Sequence, residues 1–394
     1  METKLHIGNI SYLFFGLFLI SSLLLNSCGS PKNTVTLDKT EPIEIDYNQN
    51  ESYIILENVR INNSIIAENA IFDTGSNGTV IDNSVAQELN LKTIKKVKLI
   101  DITGKKTKVP CVKIDSINIS GAIFRNIYAL VTDLSLYDCE NVKVLLGNNI
   151  LKTGIWKIDL SEHKITLFNS MSNIDYSGFH KIPFSYRLNL IKLQFDYSGK
   201  KLKNILFDTG NPSILILSQK DKLTEHLKPK YSFELYYQSL NKMQLEKVRR
   251  DYYFSNIKLY NLELDSVLTK YSRKRSIGLG LFKNNTIVID YSHKLIGIKE
   301  PFILKKTTFK NVGITFKSYN NNEIVISSLR LNSPADKIGI QVGDKVQKIN
   351  KKEISEFSLT ECELIDSLNS MTNDTLYLKL ESWENPVQLT PEQI

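Results

Sequence analysis

The sequence predicts a mainly β protein built as two homologous lobes followed by a small third domain. Three observations carry that prediction. First, the segment Ala70-Ile71-Phe72-Asp73-Thr74-Gly75-Ser76 returns as Ile205-Leu206-Phe207-Asp208-Thr209-Gly210-Asn211, and an apolar run follows each copy. Second, two further landmarks follow each copy in the same order. Leu145-Leu146-Gly147 is matched by Ser276-Ile277-Gly278, and Ile158-Asp159-Leu160-Ser161 by Ile289-Asp290-Tyr291-Ser292, with Gly and Asp 12 residues apart both times. Shared landmarks at a shared spacing mark an internal duplication. Third, the pattern changes from about Lys305, where short apolar runs gather around Ser333-Pro334-Ala335 and Gly343-Asp344.

The chain divides accordingly. Residues 1–27 hold an apolar stretch from Ile10 to Leu25 behind Lys4 and His6. That stretch is short for a membrane span and follows the layout of a secretory signal. Leu25-Asn26-Ser27-Cys28 resembles a bacterial lipobox, which implies lipidation at Cys28, a tether over 28–43, and a protein anchored to the membrane of the bacterial cell envelope. Lobe 1 spans 44–170, lobe 2 spans 171–303, and the third domain spans 304–394. Within the lobes, alternating runs such as Val112-Lys113-Ile114-Asp115-Ser116-Ile117 sit between Gly, Asn and Asp turns and predict strands. Short helices are predicted over Ser84–Leu91 and Lys220–Leu227, one after each Asp-Thr-Gly segment.

Composition narrows the function classes. The 394 residues are 42% hydrophobic and 23% charged, ordinary for a globular protein. The net charge of +8 is scattered in short runs such as Lys351-Lys352, so no nucleic-acid footprint emerges. Five dispersed histidines and four cysteines form no metal-ligand spacing and no Ser-His-Asp pattern, so neither a metal nor another cofactor is expected. In an exported chain Cys111 and Cys139 could pair or stay separate thiols. Cys362 reads as a lone core cysteine.

Two Asp-Thr-Gly turns suit a specific chemistry. Two carboxyls about 3 Å apart cannot both ionise, so they share a proton. The ionised one takes a proton from water, while the protonated one donates to a carbonyl oxygen. Gly75 and Gly210 let the backbone approach the carboxyls closely. Thr74 and Thr209 can hydrogen-bond to the opposite loop. Ser76 can donate to an outer oxygen of Asp73, and the Asn211 amide can donate to Asp208.

These motifs resemble the pepsin-like and retropepsin-like aspartyl proteases. Phe72-Asp73-Thr74-Gly75-Ser76 and Phe207-Asp208-Thr209-Gly210-Asn211 match the family's catalytic motif, and Leu145-Leu146-Gly147 matches its hydrophobic-hydrophobic-Gly motif. The resemblance implies a bilobal double β-barrel and an aspartic endopeptidase working as a monomer, with Asp73 and Asp208 as the dyad. Three features depart from the family: Ser276-Ile277-Gly278 has only one apolar residue before its glycine, Asn211 replaces Ser or Thr, and the flap hairpin Ile100–Lys105 carries Asp101 and Thr103 in place of Tyr. The last two define the second reading, a protease-fold lipoprotein that binds peptide without cutting it. The third domain resembles bacterial PDZ domains. Val312-Gly313-Ile314 would be the carboxylate-binding loop, and Glu361–Ser370 the groove helix, with Cys362 and Ile365 inward. Such a domain implies capture of peptide tails from substrates or partners.

Overall fold

A computed structural model describes residues 36–393, except 39–40, 50–52, 63, 65–66, 101–105, 136, 138–140, 173, 222, 224–229, 239–241, 246–248, 255–256, 266, 273, 305–309 and 320–322. The signal segment, Cys28, Cys139 and the flap tip therefore lie outside the described residues. The fold is mainly β. Among the described residues, no helix is long and apolar enough to cross a membrane.

Lobe 1 closes on itself. Strands Ile54–Ile61, Ala67–Phe72, Val142–Leu146, Thr79–Asp82, Ala122–Thr132 and Lys106–Ile119 are each bonded to the next, and the last pairs back to the first. Closure removes the free edges that an open sheet would expose. The sequence supports it locally: in Lys106–Ile119, Val112, Ile114 and Ile117 turn inward and Lys113 and Asp115 outward.

Lobe 2 repeats the pairing around its motif. Lys200–Asp208 runs parallel to Ser276–Gly278, as Ala67–Phe72 does to Val142–Leu146. Leu215–Ser218 runs parallel to Val267–Ser272, as Thr79–Asp82 does to Ala122–Thr132. In each lobe the Asp-bearing strand lies beside the Gly-bearing strand, which fixes where the Asp-Thr-Gly turn emerges.

The lobes share a six-stranded antiparallel sheet. Ile43–Asp46, Lys164–Asn169 and Gly154–Asp159 come from lobe 1, and Thr286–Asp290, Leu295–Lys299 and Phe179–Pro183 from lobe 2. The middle pair, Gly154–Asp159 with Thr286–Asp290, joins the two copies of the third sequence landmark. One apolar core runs through both lobes. It packs Phe72 edge-on to Trp156 at 5.1 Å and Phe207 edge-on to Phe282 at 5.5 Å, so each motif strand enters its turn from an aromatic anchor.

The third domain has its own core, including Val312, Ile314, Phe316, Leu364 and Leu368. Ser333 caps the short helix Pro334–Lys337, with Pro334 in its first turn. Helix Glu361–Met371 opens on a capping box from Thr360 and Glu363. Leu364 and Leu368 are buried on its inward face and Ile365 packs against the same core, as expected, whereas Cys362 is only half-buried. Cys362 is also disulfide-bonded, as is the buried Cys111, so the lone core thiol expected at 362 is not what the fold contains. Strand Glu323–Arg330 pairs on one side with Ile314–Tyr319 and on the other with Lys230–Gln238 of lobe 2, joining the two sheets.

The first predicted helix forms over Asn83–Glu88, capped by Asp82. Of the second, Gln219–Asp221 is a single 3₁₀ turn. The strands Thr93–Ile100 and Lys106–Ile119 pair antiparallel with Ile100 opposite Lys106, and residues 101–105 of the expected flap lie outside the described residues.

Candidate active site

The two Asp-Thr-Gly turns meet. Thr74 N–H donates to Thr209 Oγ1 at 3.0 Å, and Thr209 N–H donates to Thr74 Oγ1 at 3.0 Å. Each hydroxyl then donates onward into the other lobe, Thr74 Oγ1 to the Phe207 carbonyl at 3.0 Å and Thr209 Oγ1 to the Phe72 carbonyl at 2.7 Å. Both threonines are fully buried. Four reciprocal bonds among buried groups leave neither turn free to shift alone.

That lock brings the carboxyls together. Asp73 and Asp208 hydrogen-bond to each other through their side chains. Each lies against the glycine of the opposite turn. A Cβ on Gly75 would fall 2.1 Å from Asp208 Oδ1, and one on Gly210 would fall 2.6 Å from Asp73 Oδ1. Only glycine leaves that space, because real Cβ contacts are essentially never under 3.0 Å. The remaining donors are unequal. Gly75 N–H donates to Asp73 Oδ1 at 2.8 Å, and the amides of Ser76 and Gly210 also reach Asp73.

Burial pushes both carboxyls above the ordinary range. For Asp208 the negative charge of Asp73 and the bond between them add to burial, against a weaker pull from the Gly210 amide and Lys192, and hold it well above. For Asp73 the amides of Gly75, Ser76 and Gly210 and the bond from Asp208 oppose burial. Both carboxyls are thus held above their ordinary range, and the pair shares a proton and titrates as a unit.

Two expected supports are elsewhere. The Ser76 hydroxyl donates to the Gly78 carbonyl at 2.6 Å; the residue's amide, not its hydroxyl, serves Asp73. The Asn211 amide donates to Ser276 Oγ at 2.9 Å, while its oxygen accepts from Ser213 N–H at 3.0 Å, so it stiffens its own loop without serving Asp208. Asn211 and Ser276 form a local pair that the sequence separates by 65 positions.

Three residues at the site escaped the sequence reading. Asn148, fully buried, donates to the Thr74 and Ser76 carbonyls, and Tyr291 donates to Asn148. Lys192 is half-buried on Leu190–Tyr197 opposite Leu206, where lobe 1 has Ile55 opposite Ile71. Burial lowers its ammonium, then Lys274 does, while Asp208 opposes them. Comparing the two lobes position by position would have exposed each as a polar residue facing an apolar counterpart.

In the third domain a side chain of the groove helix occupies part of the strand edge that an added peptide would meet. Asn369 of the groove helix accepts from Phe316 N–H at 2.8 Å and donates to the Phe316 carbonyl at 3.3 Å, taking both edge groups an added strand would use. In the predicted carboxylate loop, Val312 N–H donates to the Thr372 carbonyl and Gly313 N–H to Asn311 Oδ1 at 2.7 Å. Gly313 has φ +90° and packs on Ser333, a conformation and proximity suited to glycine. Among the described residues, no cluster of His, Cys, Asp and Glu is placed to hold a metal ion.

Comparison with known proteins agrees with this layout. An aspartyl protease family model, Asp_protease_2, matches residues 58–150, and a PDZ domain model matches 302–390. The chain thus carries an aspartyl-protease-type domain and a PDZ domain. No curated protein matches the sequence. Among solved structures, basic 7S globulin from soybean covers 68% of this chain and 95% of its own, at 9% identity and TM-score 0.37. Conglutin gamma, a basic 7S globulin from lupine seeds, covers 67% and 96%, at 8% identity and TM-score 0.41. A retropepsin-like aspartic protease from Rickettsia conorii covers 35% and 96%, at 21% identity and TM-score 0.25. Superpositions this loose carry no functional meaning.

Proposed function

We propose that the protein is an aspartic endopeptidase in which a water held between Asp73 and Asp208 attacks a peptide carbonyl. The observation that carries this reading is the pair of interlocked Asp-Thr-Gly turns, which set each buried carboxyl against the glycine of the other turn. Asp73, supplied with amide donors, takes the water's proton as general base. Asp208 gives its proton to the carbonyl oxygen, forming a gem-diol; as the C–N bond breaks, Asp73 passes its proton to the leaving amine and Asp208 takes back the proton of the hydroxyl that becomes the new carbonyl. In the same proposal the PDZ domain holds peptide tails, raising their concentration at the cleft. Cys28 lipidation would place the monomer on the membrane of the cell envelope, with the described residues free to meet polypeptide there.

The second reading, a peptide-binding scaffold, draws on the loop that turns Asn211 away from Asp208. The experiment that separates the two is cleavage of an unfolded polypeptide such as reduced casein, followed from pH 3 to 8. The endopeptidase reading expects cleavage by wild type and none by Asp73→Asn. Casein bound and recovered intact across that range would favour the scaffold.

A further inference from the structure

The duplication is broken at one matched pair of positions. After Gly147 comes Asn148, but after Gly278 comes Leu279; after Asp159 comes Leu160, but after Asp290 comes Tyr291. The shared sheet sets Ile155 opposite Asp290, so the residue after Asp290 arrives beside the turn that follows Gly147. On the other side of the repeat, Leu160 N–H bonds to the Asn285 carbonyl, and Leu160 and Leu279 are both buried in the common core. One side of the repeat therefore carries Asn with Tyr, and the other carries Leu with Leu.

The polar side is fully bonded. Tyr291 Oη donates to Asn148 Oδ1 at 2.5 Å. Asn148 Nδ2 donates to the Thr74 carbonyl at 2.6 Å and the Ser76 carbonyl at 2.7 Å. Its backbone N–H adds a bond to Ser76 O at 3.0 Å. In lobe 2 the corresponding amide bond, Leu279 N–H to Asn211 O at 2.8 Å, has only a leucine side chain behind it.

We propose that Asn148 and Tyr291 are positioning residues, forming a cross-lobe strap that fixes the Asp73 loop and gives the two aspartates unequal roles. The proposal rests on the dyad reading above. Its physical basis is one peptide unit. The Thr74 carbonyl bound by Asn148 and the Gly75 N–H bound to Asp73 Oδ1 belong to the same amide plane. Holding the oxygen fixes where the N–H points, and a bond to the oxygen polarises the N–H on the far side. Lobe 2 lacks that side-chain clamp.

The charged and titratable groups facing Asp73 are Asp208 from the opposite turn and Tyr291 from the turn after Thr286–Asp290, with Lys192 beyond Asp208. Loosening the strap weakens the Gly75 donor, so Asp73 becomes harder to ionise.

The test compares full-length wild type with Tyr291→Phe, Asn148→Leu and the double variant Asn148→Leu/Tyr291→Leu, which installs the apolar pair lobe 2 already uses. Carboxyl titration by carbon-13 NMR, with Asp73→Asn assigning the resonance, reads Asp73 whether or not turnover is seen. The acid limb of kcat/KM on casein reads it during turnover. We expect the double variant to raise the Asp73 midpoint by about 0.5–1 pH unit, so that about three- to tenfold less of it is ionised below the midpoint. Asn148→Leu alone should also lower Tm by orphaning the Tyr291 hydroxyl, and the double variant should recover Tm but not the titration. A midpoint within about 0.2 unit of wild type in the double variant overturns the strap, since packing alone would then explain the pair. Equal casein cleavage by Asp73→Asn and wild type overturns the dyad reading instead, and the NMR titration still decides the strap.

Discussion

Thr74→Val isolates the lock between the lobes. Valine keeps the shape and β-branching of threonine and removes only the hydroxyl. Two bonds disappear, from Thr209 N–H to Thr74 Oγ1 and from Thr74 Oγ1 to the Phe207 carbonyl. Both orphaned groups lie in a fully buried site, where water has no ready access. Each orphan costs about 1–3 kcal/mol, so the variant should lose about 2–6 kcal/mol. That is a large share of the ~5–15 kcal/mol that holds a typical domain together. Trp156, packed on Phe72 beneath the lock, reports the lobes if Trp383 of the PDZ domain is first changed to Phe. Urea unfolding followed by Trp156 fluorescence should give a lower midpoint with an unchanged slope. Thr74→Ser, which keeps the hydroxyl, should recover most of the loss, and Thr209→Val should match Thr74→Val because its bonds are the mirror image. A loss under about 0.5 kcal/mol in Thr74→Val would refute the claim that these bonds join the lobes.

Three further predictions follow from the same geometry. Gly75→Ala drives a methyl into the Asp208 carboxyl and should cut casein cleavage by about 10²-fold while the chain still folds; activity near wild type would show that the carboxyls are not in contact as described. Asp208 is held above its unfolded value, so its proton contributes stability that is fully present below about pH 3.9 and is lost as pH rises through the raised pKa. Asp208→Asn, neutral throughout, should therefore gain on wild type by calorimetry as pH rises to 7, and a difference in Tm constant from pH 3 to 7 would contradict the assignment. Asn369→Ala frees the Phe316 edge and should tighten binding of a fluorescein-labelled decapeptide with a free C-terminal carboxylate by about tenfold in anisotropy titrations, the equivalent of about one released internal hydrogen bond; unchanged binding would mean that Asn369 does not gate the groove.

Repetition alone made much of this protein legible. A duplicated Phe-Asp-Thr-Gly with a downstream Gly and Asp at one spacing can only bury its apolar strands as two like lobes, and the reading of Thr74, Thr209, Gly75 and Gly210 followed from the chemistry their types permit. The resemblance to PDZ domains also placed the groove helix and turned Ile365 toward the core, though it passed over the more deeply buried Leu364 and Leu368. What the sequence could not supply was direction. Whether Ser76 and Asn211 turn toward a carboxyl or toward Gly78 and Ser276 depends on a few degrees of loop geometry set by distant strands. The same holds for the amide of Asn369, which has no partner in its own helix and finds one 53 residues away. The paired Asp-Thr-Gly turns were visible as strings, but the inequality between Asp73 and Asp208 arises from long-range contacts: amides converging on one carboxyl, and a tyrosine from lobe 2 reaching Asn148 143 positions earlier. Residue type limits which bonds a side chain can make, and only the packed tertiary structure selects among them.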